Sequence, residues 1–432
     1  MSFDYDVAIV GAGPIGSSLA YELAQNGLKV CLIDKKKRIG LPLQCAGIVN
    51  KRISSLCDIP KELILNEAKG AFIHSKNHSL TVSKKESQAY VLDRVAFDQY
   101  LFNRAREHLD TYLSSKVVDI DTELGIVQFK FDCEIKTIRS KIIVGADGPL
   151  SLSAKKVNSK LNYFNASQYL VKVDKIDEMS FVDLYAWGDL FPGFIWAIPV
   201  YSNIYRIGLF SEDDYKSQSK MLDDYLENEF RYDEYEVLEK YKGKIPIYDK
   251  SNKLFKNRLI LIGDAASQVK PTTGGGILIG LESVQFAKDA ILNALNTLDF
   301  DKIDFDLVGG SDSNEDDSDL NDANYKEELN NFLDELSKIL ENYQNDFENR
   351  FSKEFEIQFK VQKSLSTLSN DDLDYVLTKL KEKDADKLIS EYGDMDNQSK
   401  LVKEFLKRGL IFSLAPKIHK KELAKIWLLN KD

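Results

Sequence analysis

Short apolar runs alternate with amphipathic stretches in the first part of the chain. Val7–Val10 is an apolar run typical of a buried strand, and a glycine-rich turn follows it. Apolar residues then recur at helical spacing over Ile15–Asn26, Gly27 is well placed to end that helix, and Val30–Ile33 is a second apolar run. Strand, helix and strand within about thirty residues predict a βαβ unit.

The same patterns continue along the chain and predict an α/β protein. Predicted strands are Ala89–Leu92, Lys116–Ile120, Val127–Phe131, Lys136–Val144 and Arg258–Ile262, and predicted helices are Val95–Leu109, a long segment ending near Leu295, and Tyr325–Lys363. Between Tyr163 and Leu209, aromatic and β-branched residues indicate the strands of a second, β-rich domain. The last helix repeats Leu and Phe at three- and four-residue steps, so one of its faces is apolar.

Composition and charge fit a globular protein and exclude several classes of function. The chain has 432 residues, 43% of them hydrophobic and 29% charged, and a net charge of -11, which argues against non-specific binding to nucleic acid. The cysteines are Cys31, Cys45, Cys57 and Cys133; none forms a C-x-x-C pair, so we expect neither a metal site nor a disulfide framework. No apolar run of about 18 residues occurs, so we expect a cytoplasmic protein without membrane spans.

Two charged segments near the end depart from this average. Residues 299–323 hold ten acidic residues and one lysine, which predicts a flexible acidic linker or insertion. Residues 401–432 hold eight basic and three acidic residues, with Leu, Ile and Trp interleaved from Lys407 to Asn430. Two interpretations of this tail stay open: a peripheral anchor on the inner face of a membrane, or a terminal helix packed on the protein.

The glycine cluster at the first predicted turn fits G-x-G-x-x-G through Gly11, Gly13 and Gly16. The first glycine permits the tight turn, the second lets the backbone approach a pyrophosphate at the helix N-terminus, and the third allows close packing of helix and strand. Asp34 follows the second strand, where an acidic residue binds a ribose hydroxyl. The combination predicts a dinucleotide site, and by itself it fits NAD and FAD equally.

A second glycine-rich segment favours FAD. The predicted strand Arg258–Ile262 runs into Gly263 and Asp264, Pro271 follows, and Gly274–Gly276 open the next helix. A second helix N-terminus aimed at the ligand would stabilise negative charge on the pyrimidine end of a reduced flavin. Asp264 can accept a hydrogen bond from a ribityl hydroxyl or from a bound water.

Three further motifs make the pattern specific. Arg94, Phe97 and Asp98 form R-x-x-F-D, residues 145–148 read GADG, and the segment from Gly263 combines GDAA with a later P-x-x-G-x-G-I. Arg94 taken alone would be read equally well as part of a surface ion pair. With the N-terminal fingerprint, the whole set resembles the single-dinucleotide FAD oxidoreductases, a superfamily that includes the aromatic hydroxylases and the geranylgeranyl reductases.

Within that superfamily the chain most resembles the archaeal digeranylgeranylglycerophospholipid reductases, roughly over Phe3 to Leu295. The segment Gly40–Ile53 matches their cysteine-glycine segment after the first βαβ unit, and Phe191–Val200 resembles their Y-x-W-x-F-P signature. Phe194 stands where that signature has tyrosine and Ile198 where it has its later phenylalanine. The lost hydroxyl could orient a substrate or the flavin, so the resemblance leaves the exact substrate open.

The resemblance implies a fold and a division of the chain. The fold is α/β, with a Rossmann-like FAD-binding domain, a mixed β-sheet substrate domain and a helical C-terminal region. The implied division is 1–160 with 245–298 for FAD binding, 161–244 for the substrate, 299–323 for the acidic linker and 324–432 for the helical region.

The fingerprint and the resemblance together also imply residue roles. The implied FAD-binding residues are Gly11, Gly13, Ile15, Gly16, Asp34, Cys45, Ala46, Gly47, Arg94, Val118, Asp264, Gly275, Gly276 and Ile277. The implied substrate channel is lined by Phe181, Phe191, Phe194 and Trp196. Cys45 and Trp196 are the candidate catalytic residues, with Cys45 or an ordered water as the proton source. Packing in the core is the alternative interpretation of Cys45 and of some of the aromatic residues.

The implied reaction saturates C=C bonds in geranylgeranyl chains of archaeal-type ether lipids or related isoprenoids. Reduced FAD delivers hydride to one carbon and a proton arrives at the other; an unactivated alkene offers no group to polarise, so a dry apolar channel must align it. Only one G-x-G-x-x-G occurs, so no separate NAD(P)H domain is encoded, and ferredoxin, NAD(P)H or another carrier stay open as electron donor. Two other functions stay open: an FAD-dependent monooxygenase of the aromatic hydroxylase type, and a non-catalytic flavoprotein electron carrier.

Overall fold

The computed structural model describes residues 2–303 and 315–411, with side chains over 2–302 and 325–411. Over these ranges the strands form three sheets. The first sheet contains β1 (Tyr5–Val10), β2 (Val30–Ile33), β8 (Asp110–Tyr112), β9 (Lys116–Asp121), β10 (Ile126–Phe131), β11 (Glu134–Gly145), β17 (Phe255–Lys256) and β18 (Leu259–Leu261). The second contains β5 (Gly70–His74), β6 (Ser79–Ser83), β12 (Tyr163–Lys172), β13 (Phe181–Tyr185), β14 (Ile195–Tyr201), β15 (Ile204–Ser211) and β16 (Glu236–Pro246). The third contains β3 (Ile48–Asn50), β4 (Ile64–Ala68) and β7 (Ala89–Leu92).

The described helices lie mostly around the first sheet and at the end of the chain. They are α1 (Pro14–Gln25), α2 (Arg94–Arg106), α3 (Leu152–Lys156), α4 (Tyr215–Asn228), α5 (Ile277–Thr297), α6 (Glu315–Leu365), α7 (Asn370–Glu382), α8 (Ala385–Tyr392) and α9 (Ser399–Lys407). Short 3-10 turns occur at Lys51–Ser55, Lys61–Leu63, Gly188–Leu190, Gly263–Ala266 and Phe300–Ile303. In the described ranges every helix is too short or too polar to cross a bilayer.

The first sheet has the order β17-β18-β11-β1-β2-β8, and its central strands run parallel. Its strands are apolar on both faces because α1 and α5 cover the sheet and the apolar stripe of α6 packs into the same core. Parallel strands end at one edge, so the turns after β1, β11 and β18 lie together. The predicted βαβ unit and the predicted α/β fold class are therefore confirmed.

The second sheet has the order β16-β12-β15-β14-β13-β5-β6 and is antiparallel except where β13 meets β5. One face packs on α4, and the other packs on the small third sheet. Two of its strands, β5 and β6, come from the range 1–160, so the division at residue 160 does not coincide with the division between sheets. The domain boundaries themselves stay a prediction.

The helix α6 begins earlier than the sequence pattern predicts. It starts at Glu315 and not at Tyr325, so the last nine residues of the predicted linker 299–323 are helical, and that part of the linker prediction is wrong. Glu315 is followed by Asp316 and Asp317 in the sequence, and acidic residues are favoured in the first turn of a helix because of its dipole. The remainder of the predicted basic tail, residues 412–432, lies outside the described residues.

Candidate active site

Two of the three glycines in the β1–α1 turn are required by close backbone contacts. Gly11 has φ +109°, and a Cβ there would lie 2.2 Å from the carbonyl oxygen of Ala146. A Cβ on Gly16 would lie 2.0 Å from the carbonyl oxygen of Gly11. Nothing lies within 4 Å of the Cβ position of Gly13, so the chain leaves open space at the start of α1.

The N-terminus of α1 lacks the usual side-chain cap. Gly13 is its N-cap and Pro14, which has no N–H, is its first residue, so the remaining N–H groups of the first turn face the space beside Gly13. Asp34 holds the turn from the other side: one carboxylate oxygen accepts from the Ala12 N–H at 2.7 Å, and the other accepts from the Lys36 N–H at 2.7 Å. A carboxylate has further acceptor capacity, so Asp34 can still accept from a ribose hydroxyl.

The segment leading to Val118 passes directly beside Asp34. The Ser115 N–H donates to the Asp34 carbonyl at 2.8 Å, just before β9 begins. Val118 lies at an irregularity of the β9–β10 pairing, where Asp119 pairs with Gln128 and Val117 pairs with Phe129. A bulge of this kind redirects a side chain out of the regular alternation. Val118 thus follows the backbone contact with Asp34 by three residues, and its place beside the adenine stays a prediction.

The loop after β18 closes the same edge of the sheet. Ile15, in the first turn of α1, packs against both Gly263 and Gly280; a Cβ on Gly280 would lie 2.6 Å from the Ile15 Cδ1. The first turns of α1 and α5 therefore lie close together. A Cβ on Gly276, the N-cap of α5, would lie 3.1 Å from an Asp264 carboxylate oxygen, so Asp264 lies at the start of this second helix.

Asp264 is a half-buried carboxyl group with no hydrogen-bond donor among the described residues. Burial raises its pKa from 3.8 to about 6, and the positive charge of Arg94 partly opposes that rise. An unpartnered acceptor at a helix start is suited to a hydroxyl or water from a bound ligand.

Arg94 and Cys45 lie together, and the Arg94 charge acts on Asp264. We call the region bounded by the β1–α1 turn, the loop after β18 and the Cys45–Gly47 turn the cleft. The Arg94 guanidinium is buried and binds the Asp98 carboxylate at 2.9 Å, one helical turn along α2, and it also contacts the Cys45 thiol. Gly47 N–H donates to the Cys45 sulfur at 3.4 Å. The R-x-x-F-D motif thus forms a buried ion pair, and not the surface pair that Arg94 alone would suggest.

Two residues that the sequence analysis did not single out hold the Cys45–Gly47 turn. Arg206 on β15 donates from Nη1 to the carbonyl oxygens of Ala46 at 3.0 Å and Leu92 at 2.9 Å, and a Cβ on Gly47 would lie 2.1 Å from that nitrogen. Gln168 on β12 donates to the Cys45 carbonyl at 3.4 Å. Arg206 is buried and pairs with no carboxylate among the described residues, and burial lowers its pKa. A lone arginine between the apolar residues of β15 is the signal that could have revealed it.

Trp196 lies on the face of the second sheet that meets this turn. Its Nε1–H donates to the Gln168 side-chain oxygen at 3.2 Å. Its ring packs closely on Gly208, where a Cβ would lie 2.5 Å from a ring carbon of Trp196. Phe194 packs at 6.2 Å between ring centroids from Trp196, and Ala46 belongs to the same apolar cluster. Trp196, Phe194 and the Cys45–Gly47 turn therefore form one wall.

Phe181 and Phe191 do not join that wall. Val182 on β13 packs into the Trp196 cluster, so strand alternation turns Phe181 to the opposite face, where it stacks on Phe72 at 4.8 Å. Phe191 precedes β14 and packs with Leu368 and other residues at the start of the C-terminal helices. Their placement argues against a single channel lined by all four aromatic residues.

The GADG motif stabilises the fold through the hydrogen bonds of Asp147. The Asp147 carboxylate accepts from the N–H groups of Leu152 at 2.7 Å and Ser153 at 3.2 Å, and from the Ser151 hydroxyl at 2.6 Å. These bonds anchor the start of α3. All four cysteines are free, and no three His, Cys, Asp or Glu side chains of the described ranges gather as a metal site would.

The hydrogen-bonding groups of the cleft match those that a flavin dinucleotide requires. Open space and the N–H groups of the first turn of α1 suit a pyrophosphate, and Asp34 suits a ribose. Asp264, half-buried at the start of α5 and without a donor among the described residues, suits a polyol chain. The wall formed by Cys45, Arg206 and Trp196 lies beyond these groups. The structure brings Ile15, Gly276, Asp264, Arg94 and Cys45 together, and the roles of the residues predicted to bind FAD stay a prediction.

Comparisons with known proteins agree with this arrangement. The FAD binding domain family matches residues 4–291. A digeranylgeranylglycerophospholipid reductase of Methanococcus vannielii is 30% identical over 309 residues, 68% of this chain and 79% of that protein. An uncharacterized protein of Methanocaldococcus jannaschii is 28% identical over 94% of this chain and 95% of its own length, so its similarity extends through the C-terminal helices.

Solved structures agree on the fold. A geranylgeranyl bacteriochlorophyll reductase-like protein from Thermoplasma acidophilum has a TM-score of 0.74 at 23% identity, covering 93% of this chain and 98% of that one. A flavin-dependent brominase has a TM-score of 0.62 at 16% identity over 95% of this chain and 98% of that one. The same architecture therefore serves different chemistries, and function has to be argued from the site.

Proposed function

We propose a prenyl-lipid reductase function for this chain, which belongs to the geranylgeranyl reductase family of FAD-binding proteins and is an FAD-dependent oxidoreductase. The specific proposal is saturation of C=C bonds in the geranylgeranyl chains of archaeal-type ether lipids or related isoprenoids. The observation that carries it is the wall formed by Trp196, Phe194 and the Cys45–Gly47 turn. An isolated alkene offers no polar group for recognition, so an apolar surface beside the redox end of the cleft is the feature that such a substrate requires.

Different residues of the cleft would bind different parts of the cofactor. The α1 N-terminus at Gly13 would hold the pyrophosphate, Asp34 the ribose, and Asp264 with the start of α5 the polyol chain and the pyrimidine end. When bound and reduced, FAD supplies hydride to one carbon of the double bond. The N–H groups at the start of α5, where Gly276 is the N-cap, would stabilise negative charge at that end of the cleft.

The wall residues would align the alkene and supply its proton. Trp196 is held by Gln168, and Arg206 holds the backbone of the Cys45–Gly47 turn, so the two surfaces are fixed relative to each other. Preorganised apolar side chains exclude water and restrict the chain to a reactive alignment. The Cys45 Sγ lies beside the Arg94 guanidinium, and either the Cys45 thiol or a water ordered beside it would protonate the second carbon.

The reductase family requires a prenyl-lipid substrate and an electron donor. The choice among ferredoxin, NAD(P)H and another carrier, and contact with a membrane surface, stay part of the proposal. Liposome sedimentation of the full chain and of a chain ending at residue 406 tests the membrane contact: we expect only the full chain to pellet with anionic vesicles, and equal pelleting would remove the idea.

The reaction itself is tested with chemically reduced protein in the absence of oxygen. Incubation with digeranylgeranyl ether lipids should raise the lipid mass by pairs of hydrogen atoms, read by mass spectrometry. The Cys57→Ala variant serves as a control because the half-buried Cys57 thiol donates to the Ile53 carbonyl at 3.8 Å, whereas Cys45 contacts Arg94. No mass gain with any prenyl lipid, together with oxygen uptake stimulated by a small aromatic compound, would overturn the proposal in favour of a monooxygenase.

A further inference from the structure

The C-terminal helices bind the loop that leads into α5 through side-chain hydrogen bonds. On α6, the Gln362 side chain donates to the Pro271 carbonyl at 2.5 Å, and the Gln358 side-chain oxygen accepts from the Thr272 hydroxyl at 3.3 Å. Gln398, between α8 and α9, donates to the same Thr272 hydroxyl at 2.8 Å. Three side chains from distant segments thus bind two consecutive residues of one loop.

A buried ionic cluster secures the same contact. The Asp396 carboxylate binds the Lys270 ammonium at 2.5 Å through one oxygen and the Arg52 guanidinium at 3.1 Å through the other. The side chains of Lys270 and Asp396 are only 7% and 3% exposed. Burial favours the neutral acid, but Lys270 and Arg52 together hold the pKa of Asp396 below its usual range. The Lys270 ammonium also donates to the Met395 carbonyl at 3.1 Å.

This cluster touches both the cofactor loop and the apolar wall. The Lys270 side chain lies against Gly275, where a Cβ would be 2.8 Å from its Cε. Gly274 is held from the opposite side by Ile245, 2.8 Å from the position of its Cβ. Met395, next to Asp396, packs into the apolar cluster that contains Trp196. The segment from Met395 to Gln398 therefore bridges the two surfaces that meet at the redox end of the cleft.

Stability alone is a weak reason for this arrangement. A buried ion pair is often no more stabilising than apolar residues of the same volume, because both charges lose their hydration. The Lys270–Asp396 pair instead restricts the glycine-rich loop to one conformation, because that loop has few side chains of its own to hold it in place. A loop whose N–H groups face a ligand acts only when it is held in place.

We propose that Lys270 and Asp396 are positioning residues through which the C-terminal segment 395–398 fixes the loop Pro271–Gly276 against FAD. Met395 on the same segment completes the apolar wall beside Trp196. The inference rests on the proposed role of this loop at the pyrimidine end of the cofactor, and its tests need no lipid substrate.

The test compares FAD affinity and flavin reduction potential in Lys270→Gln, Lys270→Arg and Asp396→Asn. Lys270→Gln leaves Asp396 paired with Arg52, so the protein should fold while the loop loses its anchor. We expect its dissociation constant for FAD to rise by about ten-fold or more, since loose positioning is costly in a preorganised site. We expect the potential to fall by about 30 mV, which equals a ten-fold change for a two-electron couple.

Controls separate positioning from simple loss of stability. Lys270→Arg keeps the charge and should restore both values to near those of the wild-type protein. Lys387→Gln removes an exposed ion pair of the same region, Lys387 with Asp384 at 2.7 Å, and should change neither value. Asp396→Asn should show the same changes as Lys270→Gln; if it does not fold, the two Lys270 variants still decide.

Two outcomes would overturn the inference: an unchanged FAD affinity and potential in Lys270→Gln with only a lower melting temperature, or an equal loss in Lys270→Arg and Lys270→Gln. Failure of the proposed reaction is distinguishable. Wild-type protein that binds FAD but reduces no prenyl lipid would contradict the reductase function, whereas weakened FAD binding in Lys270→Gln would still support the positioning role.

Discussion

The two ends of the cleft are built in different ways. The dinucleotide end comes mainly from one continuous stretch, β1 to Asp34, and acts mainly through backbone groups. The redox end joins the Cys45–Gly47 turn, the loop before α5, the second sheet and segment 395–398, and it depends on buried charged side chains. The first end needs empty space and unpaired N–H groups, whereas the second needs side chains held in place from several directions.

This difference predicts how each end fails. A substitution at the dinucleotide end should act through steric exclusion and affect cofactor binding or folding. A substitution at the redox end should leave the Gly11–Asp34 turn intact and act through the positioning of side chains. It should affect chemistry, potential or pH dependence, and FAD affinity where it loosens the loop before α5. The following experiments sharpen that contrast, from the largest expected effect to the smallest.

Alanine at Gly13 and at Gly16 should fail in opposite ways. In Gly16→Ala the new Cβ would meet the Gly11 carbonyl oxygen at 2.0 Å, so we expect a loss of stability of about 3 kcal/mol or more. In Gly13→Ala the methyl group enters open space, so the fold should be kept while FAD affinity falls by about 100-fold, or 2.7 kcal/mol. Chemical unfolding of the apoprotein and FAD titration measure the two effects.

Gly27→Ala is the matched control for these variants. Gly27 has φ +81° and open space around it, so alanine there should cost about 1 kcal/mol of backbone strain and leave FAD affinity unchanged. Equal loss of FAD affinity in Gly27→Ala and Gly13→Ala would remove the assignment of Gly13 to the pyrophosphate.

Cys45→Ala should separate binding from chemistry at the redox end. We expect FAD affinity within about three-fold of wild type, because Cys45 would contribute a single thiol among the many groups proposed to hold the cofactor. The rate of lipid reduction should fall by about 10²- to 10⁴-fold if the thiol is the proton source. Single-turnover kinetics measure this rate, with Cys57→Ala as control. A rate unchanged in Cys45→Ala would assign the proton to the ordered water instead.

Asp264→Asn should make the apoprotein more stable at neutral pH. The pKa of Asp264 is raised to about 6, above its unfolded value of 3.8, so the ionised carboxylate destabilises the fold. Wild-type stability should therefore contain a component that falls as pH rises from about 4 to about 6 and stays lost above that range. Asn removes the component, which amounts to about 2 to 3 kcal/mol at 1.36 kcal/mol per pKa unit.

Melting temperatures of FAD-free wild type and Asp264→Asn between pH 4 and pH 8 check this sign. The difference should be near zero at the acidic end and largest at neutral pH. Exposed Asp174 supplies the control Asp174→Asn, which should show no such trend. A difference that is largest at acidic pH would contradict the raised pKa of Asp264.

Trp196→Phe should have the smallest effect, on stability. It removes the Nε1–H bond to Gln168 and leaves a buried amide oxygen unpaired, a loss of about 1 to 2 kcal/mol. Trp187 packs on the opposite face of the same sheet, and its Nε1 has no hydrogen-bond partner among the described residues. Trp187→Phe should therefore cost less in urea unfolding, and the reverse order would contradict the assigned role of Gln168.

Local sequence patterns were sufficient to predict the dinucleotide end of the cleft. The predicted strands Val30–Ile33 and Ala89–Leu92 agree with the structure, and α1 runs over Pro14–Gln25 where Ile15–Asn26 was predicted. Glycine positions and helix periodicity are set by neighbouring residues, so they are readable in a single sequence.

The second end depends on contacts that no local pattern records. Arg206 reaches Ala46 across 160 positions, and Asp396 reaches Lys270 across 126. The pairing of the second sheet determines which face of β13 carries Phe181. The aromatic content of the sequence therefore could not show that Phe181 and Trp196 lie on opposite faces. Motifs identified the cofactor, whereas tertiary packing decides which side chains surround its redox end.

Anaerobic reoxidation of the bound, reduced FAD by a digeranylgeranyl lipid tests the central claim most directly. After stoichiometric chemical reduction, addition of the lipid should restore the absorbance of oxidised flavin with a rate that saturates in lipid. The saturated analogue of that lipid should produce no change. Flavin that stays reduced with every prenyl lipid, yet is reoxidised when oxygen is admitted with a small aromatic compound, would contradict the account.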